Sequence, residues 1–401
     1  MGEVFKAVKI EESVYWVGAI DWALSDFHGY RTDRGTTYNA YLVLGDKPVL
    51  IDTVKARFKD EMLSRIASVV EPREIAYVIS NHSEMDHTGA LPWVIQHLEP
   101  EKVFASGMGV KALKAHFGID AVPVANGEKM NIGGVEFLFA ETRMLHWPDS
   151  MFTYMPKKGI LFSQDAFGMH LASTERFADE IQEKVLFEEG AKYFANILLP
   201  YAPLVLKLLS RVGEMGITPK IIAPDHGPVW RKDLDRILGW YSQWADQKPT
   251  MRAVVVYDTM WQSTALMARA IGEGLQEGGA EPVLMPLSKS HRSDVITEVL
   301  FAGALIVGSP TINNGIFPRV ADVLMYLKGL KPKNLVGAVF GSYGWSGEAV
   351  GYIEGVLKEM NVDIVGSVKA MYVPSPDKLQ ECYTLGMEVA KKLKEVCYGD
   401  R

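Results

Sequence analysis

The chain has 401 residues, of which 48% are hydrophobic and 23% are charged, and its formal net charge at pH 7 is −7. This composition excludes a mainly disordered chain, and the two cysteines exclude a disulfide scaffold and a four-thiolate iron site. The length predicts two or three domains, the charge gives no reason to expect a nucleic-acid partner, and no apolar run approaches the ~18 residues of a membrane helix. We therefore expect a cytoplasmic, reduced protein without a membrane partner.

The first 249 residues show the pattern of a mixed α+β domain. Strands are expected at residues 14–17, 37–44, 49–52, 75–80, 134–140 and 159–163, with a helix at 89–98. Two sheets covered by helices fit this order best. The polar segment 245–250 carries a proline and is a plausible linker.

Residues 250–401 alternate between strand and helix. The β-branched run 253–257 is typical of a buried parallel strand, and a helix is expected from Thr264 to about Glu277. Further apolar runs follow at 282–285, 304–307 and 335–340, separated by helical stretches. This alternation predicts a doubly wound α/β domain.

The strongest chemical signal is a run of potential metal ligands. His82, Glu84, Asp86 and His87 fall within six residues, after a strand and before a helix. A polar loop with capping residues is the alternative interpretation, since Asp86 or Thr88 could cap the helix. Four ligand-type side chains at this spacing favour a metal site.

Three later strand ends add one candidate ligand each, namely His146, Asp165 and His226. Each is a weak signal alone, because a histidine at a strand end is more often hydrogen-bonded than ligating. Together the spacing resembles the metallo-β-lactamase fold, an αββα sandwich whose metal ligands come from loops at one edge.

Glu84 departs from that family's hydrolases, which carry a histidine at the matching position. The seven candidate ligands then include three carboxylates, those of Glu84, Asp86 and Asp165. Together with one bridging hydroxide they balance two divalent cations and ease oxidation to the trivalent state. Oxygen and nitrogen ligands suit iron as well as zinc, and zinc has no redox chemistry. The site therefore predicts a redox di-iron centre.

A second signal lies in the loop after the strand at 253–257. It consists of Thr259, Met260, Trp261, Gln262, Ser263 and Thr264. Hydroxyls and backbone N–H groups at a helix N-terminus form an anion site. The loop lacks Lys and Arg and does not fit the nucleoside-triphosphate pattern, so a monoester phosphate is the natural ligand. A capped helix without a ligand is the alternative.

Two further loops favour a ligand there, because both follow parallel strands at the sheet edge where ligands bind. One comprises Pro310, Thr311, Ile312, Asn313, Asn314 and Gly315, and the other comprises Ser342, Tyr343, Gly344, Trp345, Ser346 and Gly347. Glycines permit close backbone approach, and Tyr343 and Trp345 offer faces to a flat ring. This arrangement resembles the flavodoxin family, whose ligand is FMN. A dinucleotide fold is disfavoured because no GxGxxG follows the first strand.

Taken together, the two halves resemble the flavodiiron proteins, which are oxygen or nitric oxide reductases. The resemblance implies that His82, Glu84 and His146 hold one iron, that Asp86, His87 and His226 hold the other, and that Asp165 bridges them. Some members do not use the histidine matching His87. The resemblance also implies His28 and Tyr193 as groups near bound substrate; an ordinary loop histidine and a packed tyrosine are the alternatives.

The same resemblance implies that FMN passes electrons to the iron pair, which reduces dioxygen to water or nitric oxide to nitrous oxide. It implies a separate donor, such as rubredoxin or a reduced deazaflavin coenzyme. It also implies a head-to-tail homodimer, or a dimer of dimers, in which the FMN of one chain serves the iron of the other. The rivals are a lactamase-fold zinc hydrolase fused to a flavodoxin domain, against which Glu84 argues, and an electron-transfer protein whose lactamase domain is only a docking scaffold, against which the complete ligand set argues.

Overall fold

The computed structural model describes residues 4–399. The described chain forms two compact units. The first unit runs to Tyr193 and resumes at Tyr201–Ser242, and the second consists of Phe194–Pro200 and the chain from Gln243 onward. The division between residues 249 and 250 as a domain boundary stays a prediction.

The first unit is a sandwich of two sheets. The seven-stranded sheet has the order β1-β2-β7-β8-β9-β10-β11, with β1 at Val8–Glu11, β2 at Val14–Trp16, β7 at Tyr41–Val43, β8 at Val49–Ile51, β9 at Tyr77–Ser80, β10 at Lys102–Ser106 and β11 at Val122–Val124. The five-stranded sheet has the order β12-β13-β14-β15-β16, with β12 at Lys129–Ile132, β13 at Val135–Glu141, β14 at Met151–Met155, β15 at Ile160–Phe162 and β16 at Ile221–Ala223. Two small hairpins complete the unit, β3 (Ala19–Asp21) with β6 (Thr36–Tyr38) and β4 (Asp26–Phe27) with β5 (Tyr30–Arg31).

Burial of apolar side chains explains the layering. Trp16, Tyr41 and Ile79 of the first sheet share one core with Phe137 and Phe162 of the second. The opposite face of the first sheet packs against helices in a separate core. The helices of this unit are α1 (Lys59–Ala67), α2 (Met85–Thr88), α3 (Leu91–Leu98), α4 (Gly107–Phe117), α5 (Glu183–Tyr193), α6 (Ala202–Arg211) and α7 (Leu234–Asp246), the last of which extends past the unit boundary. The predicted αββα architecture is confirmed.

Strand direction places the polar segments at one edge. Strands β8, β9 and β10 are parallel, so their carboxyl ends lie together. In the second sheet β15 is parallel to β16, and two antiparallel pairings give β13 the direction of β15. The chain therefore leaves β9, β13, β15 and β16 close to the positions of the candidate ligands.

Two local expectations were wrong. Residues 37–44 were expected to form one strand, but β6 and β7 belong to different sheets. The break falls at Asn39, whose backbone N–H donates to Asp225 O at 2.7 Å instead of continuing a ladder. Asp86 and His87 were expected on a loop, but they lie on the single turn of α2.

The second unit is a doubly wound sheet. Its strands have the order β18-β17-β19-β21-β22, with β17 at Arg252–Tyr257, β18 at Glu281–Pro286, β19 at Ala304–Ile312, β21 at Val336–Tyr343 and β22 at Asp363–Met371, and the short β20 (Gly315–Ile316) pairs with β19. The helices are α8 (Ser263–Glu277), α9 (Arg292–Leu300), α10 (Pro318–Leu330), α11 (Glu348–Glu359) and α12 (Pro376–Tyr398). The five long strands are mutually parallel, as expected. Strand β22 was not anticipated.

One helical stretch in the described chain, Glu183–Arg211, is long and apolar enough to cross a membrane by length and composition alone. This corrects the expectation that no apolar segment approaches that length. Of its most apolar window, 44% is buried inside the protein, and the core helix of a soluble protein passes the same test. The stretch is therefore weak evidence for a membrane span.

A candidate two-metal centre and flavin site

Asn81 fixes the start of the ligand segment after β9. Its backbone N–H donates to Asp52 Oδ1 and its Nδ2 to Asp52 Oδ2, both at 2.7 Å. Its side-chain oxygen accepts from Thr153 Oγ1 at 2.6 Å. All three residues are buried, so the segment that begins at His82 is anchored at a rigid point of the sandwich.

The loop that carries His226 is held by the segment between β6 and β7. Asn39 Nδ2 donates to Pro224 O at 2.7 Å and to Gly227 O at 2.9 Å. Gly227 has a φ of 75°, a conformation that glycine adopts without strain. His226 Nδ1 donates to Thr37 O at 2.6 Å, so its Nε2 remains available as a metal ligand.

Gln164 ties the remaining two ligand loops together. Its Nε2 donates to Leu145 O in the loop of His146, and its Oε1 accepts from Asp165 N at 2.6 Å. The side chain is completely buried. His146 and Asp165 are therefore positioned relative to each other by one amide.

Asp165 lies between two groups of ligands. Its Oδ2 is 3.3 Å from His82 Nε2 and 3.0 Å from His146 Nε2. Its Oδ1 is 3.6 Å from His226 Nε2. Glu84 Oε2 joins the first group, 3.0 Å from His146 Nε2. One carboxylate that faces two clusters with different oxygens has the geometry of a bridging ligand.

The second group consists of Asp86, His87 and His226. Asp86 Oδ2 lies 3.5 Å from His87 Nε2 and 3.3 Å from His226 Nε2, and the two imidazole nitrogens are 3.1 Å apart. Burial lowers the pKa of His87 to about 4, although the negative charge of Asp86 acts to raise it. The imidazole is then neutral at pH 7, which is the state that a metal ligand requires.

His146 is the contrasting case. Burial lowers the pKa of His146, but its hydrogen bonds to Asp165 and Glu84 outweigh burial and raise the pKa to about 10. The proton that His146 holds in the protein alone must leave when the ring binds a metal. Metal binding is therefore coupled to proton release at this histidine.

The donor set fits two metal ions. Among the described residues, both oxygens of Asp86 and of Asp165, both ring nitrogens of His82 and Nδ1 of His87 are buried without a hydrogen-bond partner. Buried polar atoms are rarely left unpaired in native proteins, so these atoms require a ligand. Metal ions would satisfy them, and mixed imidazole and carboxylate donors suit iron. All seven predicted ligands lie in this cluster, in overlapping groups of three or four.

The two predicted substrate-side residues also lie beside the cluster. His28 Nε2 is 3.2 Å from Glu84 Oε1, and the His28 side chain is 73% exposed. The hydrogen bond with Glu84 raises the pKa of His28 above its ordinary value. The buried Tyr193 ring lies 6.1 Å from that of His226. Contact of either residue with substrate stays a prediction.

Two buried residues of the cluster were missed by the sequence analysis. Asp225 Oδ2 lies 3.4 Å from His82 Nδ1 and 3.8 Å from His87 Nδ1. The His170 ring lies 4.6 Å from that of His226, and Thr36 Oγ1 lies within hydrogen-bond distance of both. Asp225 immediately precedes a ligand at a strand end, and that adjacency is the signal that could have identified it.

In the second unit, the three predicted flavin segments line a cavity of about 440 Å³ at the carboxyl ends of the parallel strands. The residues lining it are Met260, Trp261, Ser263, Pro310, Thr311, Asn313, Asn314, Ser342, Tyr343, Gly344, Trp345, Ser346, Tyr372 and Val373. Tyr372 and Val373, which follow β22, were not anticipated. The other predicted residues of these segments flank the lining residues.

The secondary structure of these segments differs from the expectation. Pro310–Ile312 continue β19 because Thr311 and Ile312 pair with β20, and Ser342 and Tyr343 still belong to β21. The segments are therefore strand extensions as well as loops.

The start of α8 suits a phosphate group. Its N-cap residue Gln262 makes no capping hydrogen bond through its side chain. Thr259 Oγ1 is buried without a hydrogen-bond partner in the described chain. Thr264 Oγ1 and Ser342 Oγ lie 2.9 Å apart, so hydroxyls from two segments meet there. Free helix amides and an unpaired hydroxyl are the donors that a phosphate monoester needs.

The features described above define the class of protein: a metalloprotein of the lactamase fold joined to a flavin-binding domain. They are the two-sheet sandwich, the two-metal cluster and the flavodoxin-like cavity. Residues 36–227 match the ODP family of beta lactamases, and residues 255–386 match the flavodoxin family. A nitric oxide reductase from Moorella thermoacetica is 42% identical, and the match covers 97% of this chain and 99% of that relative. A coenzyme oxidase from Methanothermobacter marburgensis is 38% identical, and the match covers 97% of this chain and 99% of that relative.

Solved structures agree with these relatives. The rubredoxin oxygen:oxidoreductase of Desulfovibrio gigas is 43% identical with a TM-score of 0.96, covering 98% of this chain and 100% of that one. The flavodiiron protein of Giardia intestinalis is 32% identical with a TM-score of 0.93, covering 98% of each chain. The chain belongs to the flavodiiron protein family.

We expect Asp165→Ala to lose both irons while FMN stays bound, because the bridging carboxylate serves both ligand groups and the flavin residues lie in the other unit. Iron is measured by elemental analysis and FMN by its absorbance after purification. Asp120→Ala, at a carboxylate that is 86% exposed, is the control. A variant that keeps both irons, or that loses FMN, contradicts the assignment.

We expect Thr259→Val to weaken FMN binding by about 10- to 100-fold, because a hydrogen bond to a charged group contributes roughly 1.5–3 kcal/mol. The dissociation constant is measured by quenching of FMN fluorescence on titration with apoprotein. Thr384→Val, at an exposed position on α12, should bind like the wild type. An unchanged constant for Thr259→Val would exclude this hydroxyl from the phosphate site.

Proposed function

We propose that the protein is an oxidoreductase that reduces dioxygen to water, nitric oxide to nitrous oxide, or both, at a di-iron centre supplied with electrons by FMN. The observation that carries this proposal is the position of Asp165, whose two oxygens face two separate imidazole and carboxylate groups. The flavin cavity of the same chain supplies the second requirement, a redox cofactor. The nitric oxide reductase and the rubredoxin oxygen:oxidoreductase among the relatives support the reaction class.

Each cofactor has a candidate position among these residues. His82, Glu84 and His146 would hold one iron, Asp86, His87 and His226 the other, and Asp165 both. The cavity bounded by the segments after β17, β19 and β21 would hold FMN, with its phosphate at the start of α8. When bound, FMN would supply electrons and the two irons would use them to reduce the diatomic substrate.

Residues of this chain would carry protons to the metal site and exclude water from it. Both reductions consume protons, so a group that holds a proton beside the metals has a role. His28 Nε2 lies 3.2 Å from the ligand Glu84, its pKa is raised by that hydrogen bond, and its side chain reaches solvent. It is therefore placed to carry protons inward. The buried ring of Tyr193 lies 6.1 Å from that of His226 and would help to exclude water there.

The zinc hydrolase alternative is not favoured. Relatives that match nearly the whole chain are named reductases or oxidases, and a hydrolase has no use for the flavin cavity. Glu84 in place of histidine would add negative charge, which eases oxidation of the metals to the trivalent state.

A separate electron donor belongs to the proposal. The name of the Desulfovibrio gigas relative supports rubredoxin, and the coenzyme oxidase from Methanothermobacter marburgensis supports a reduced coenzyme, for which a deazaflavin was expected. The cytoplasmic location and the absence of nucleic-acid and membrane partners remain predictions.

We expect the purified protein to contain two irons and one FMN per chain, and to turn over oxygen or nitric oxide when chemically reduced rubredoxin is the donor. Each gas is added in turn to an anaerobic cell, and the oxidation of rubredoxin is followed by absorbance. Protein from iron-replete medium that contains two zinc ions, and shows no iron-dependent activity, would overturn the proposal.

We also propose the head-to-tail homodimer, or a dimer of dimers, in which FMN of one chain serves the iron site of the other. Support comes from exposed apolar side chains beside each site. Met85, between two metal ligands, is 56% exposed. At the flavin cavity Trp261 is 89% exposed and Trp345 is 83% exposed. Clusters of exposed apolar residues beside a site mark interaction surfaces, and a two-fold interface is self-complementary.

Co-expression of two inactive variants tests the pairing. One carries His82→Ala and Asp165→Ala and lacks metal; the other carries Ser263→Glu and Thr264→Val and lacks FMN. Random pairing makes about half the dimers mixed, each with one working site, so we expect roughly a quarter of wild-type activity. Mixed dimers that remain inactive would show that electrons pass within one chain.

A further inference from the structure

We propose that Asp225 is a positioning residue shared by the two metals, because its Oδ2 lies 3.4 Å from His82 Nδ1 and 3.8 Å from His87 Nδ1 and would accept their protons once the rings bind metal. The inference rests on the proposed two-metal function and deepens it. It adds one carboxylate that links a ligand of the first metal to a ligand of the second.

The first step is the orientation of the two imidazoles. His82 Nε2 faces Asp165 at 3.3 Å, and His87 Nε2 faces His226 Nε2 at 3.1 Å, so each ring turns this nitrogen towards the metal cluster. A neutral imidazole that binds a metal through Nε2 carries its proton on Nδ1. That proton needs an acceptor on the far side of the ring, since both histidines are buried.

The second step is the identity of the acceptor. For His226 it is the backbone oxygen of Thr37, at 2.6 Å. His82 Nδ1 and His87 Nδ1 have no such bond to any described residue. The carboxylate oxygen that approaches both is Asp225 Oδ2, at 3.4 Å and 3.8 Å. Asp225 is itself fully buried, and neither of its carboxylate oxygens has a hydrogen-bond partner among residues 4–399.

The third step is rigidity. The backbone of Asp225 is fixed from both sides, since its N–H donates to Gln164 O at 2.8 Å and its carbonyl accepts from Asn39 N at 2.7 Å. Gln164 also orients the bridging ligand Asp165. Asp225 is therefore held on the same hydrogen-bonded framework as the bridging ligand Asp165.

The fourth step concerns what only a carboxylate can do. The same oxygen, Oδ2, faces both Nδ1–H groups, and its negative charge strengthens both contacts. An asparagine that turns its amide N–H₂ towards the rings would meet them as donor against donor, and one that turns its oxygen towards them would lose the charge. Asp225→Asn should therefore weaken the support of both histidines.

The test is anaerobic titration of apoprotein with ferrous iron in competition with a chelator, with wild type, Asp225→Asn and Asp21→Asn compared. Asp21 is a matched control because it is also buried, but its carboxylate accepts from Tyr38 OH and pairs with Arg57 rather than with a ligand. Loss of a carboxylate beside a ligating histidine typically costs 10- to 100-fold in metal affinity. We expect a loss of that size for both irons in Asp225→Asn, and wild-type affinities for both irons in Asp21→Asn.

A wild-type measurement covers the case in which the variant does not fold. In zinc-loaded protein with ¹⁵N-labelled histidine, His82 and His87 should each show a slowly exchanging Nδ1 proton and a zinc-bound Nε2. Zinc on Nδ1 of either ring would overturn the inference, as would equal iron affinities in Asp225→Asn and wild type. Wild-type protein that binds no iron would instead overturn the proposed function, so the two failures are distinguishable.

Discussion

The metal cluster depends on one carboxylate in an unfavourable place. Asp165 is 1% exposed, and its two oxygens face imidazoles of two different ligand groups. Asp86 is buried close by, so the fold holds like charges together in a region with little water. Burying unpaired charge is costly, and no described donor other than the histidines compensates it. The structure is therefore complete only with cations, and the protein must supply enough rigidity to keep these groups together before the cations arrive.

That rigidity comes from hydrogen bonds that join the two sheets of the sandwich. Asn81 follows β9 of the first sheet and accepts from Thr153 on β14 of the second. Asn39, just before β7 of the first sheet, donates twice to the loop after β16 of the second. Neither sheet alone could therefore hold the site. Layer packing by apolar side chains sets the distance between sheets, and these buried amides set the angular position of each loop.

This division explains what the sequence could predict. The seven ligands were recognisable because histidine and carboxylate at strand ends have a chemical identity that the local sequence displays. Asn39 acts through partners more than 180 residues distant in the chain, so no local pattern predicts it. Asp225 has one local signal, its place beside His226, but the histidines that it faces, His82 and His87, are more than 130 residues away. The break at Asn39, which divides an apparently continuous strand, has the same origin. Strand β22 was missed for another reason: only two of its nine residues are buried, so it lacks the apolar run of its neighbours. The cavity residues Tyr372 and Val373 were missed with it.

The two sites solve opposite electrostatic problems with the same structural element, the carboxyl end of a strand. At the metal cluster the strand ends project carboxylates and imidazoles, and the positive charge comes from outside. At the flavin cavity the strand end leads into a helix whose first amides and hydroxyls meet a negative phosphate, without a Lys or Arg in residues 259–264. Backbone amides and hydroxyls offer partial charges, which suit a single phosphate, whereas two metal ions in a buried cluster need formal charges. Glu84 is a third buried carboxylate of this cluster, and it carries a formal negative charge that a neutral histidine in its place would not supply. Negative charge beside a metal favours its higher oxidation state, so the same carboxylates that are costly to bury alone would suit a metal that changes valence.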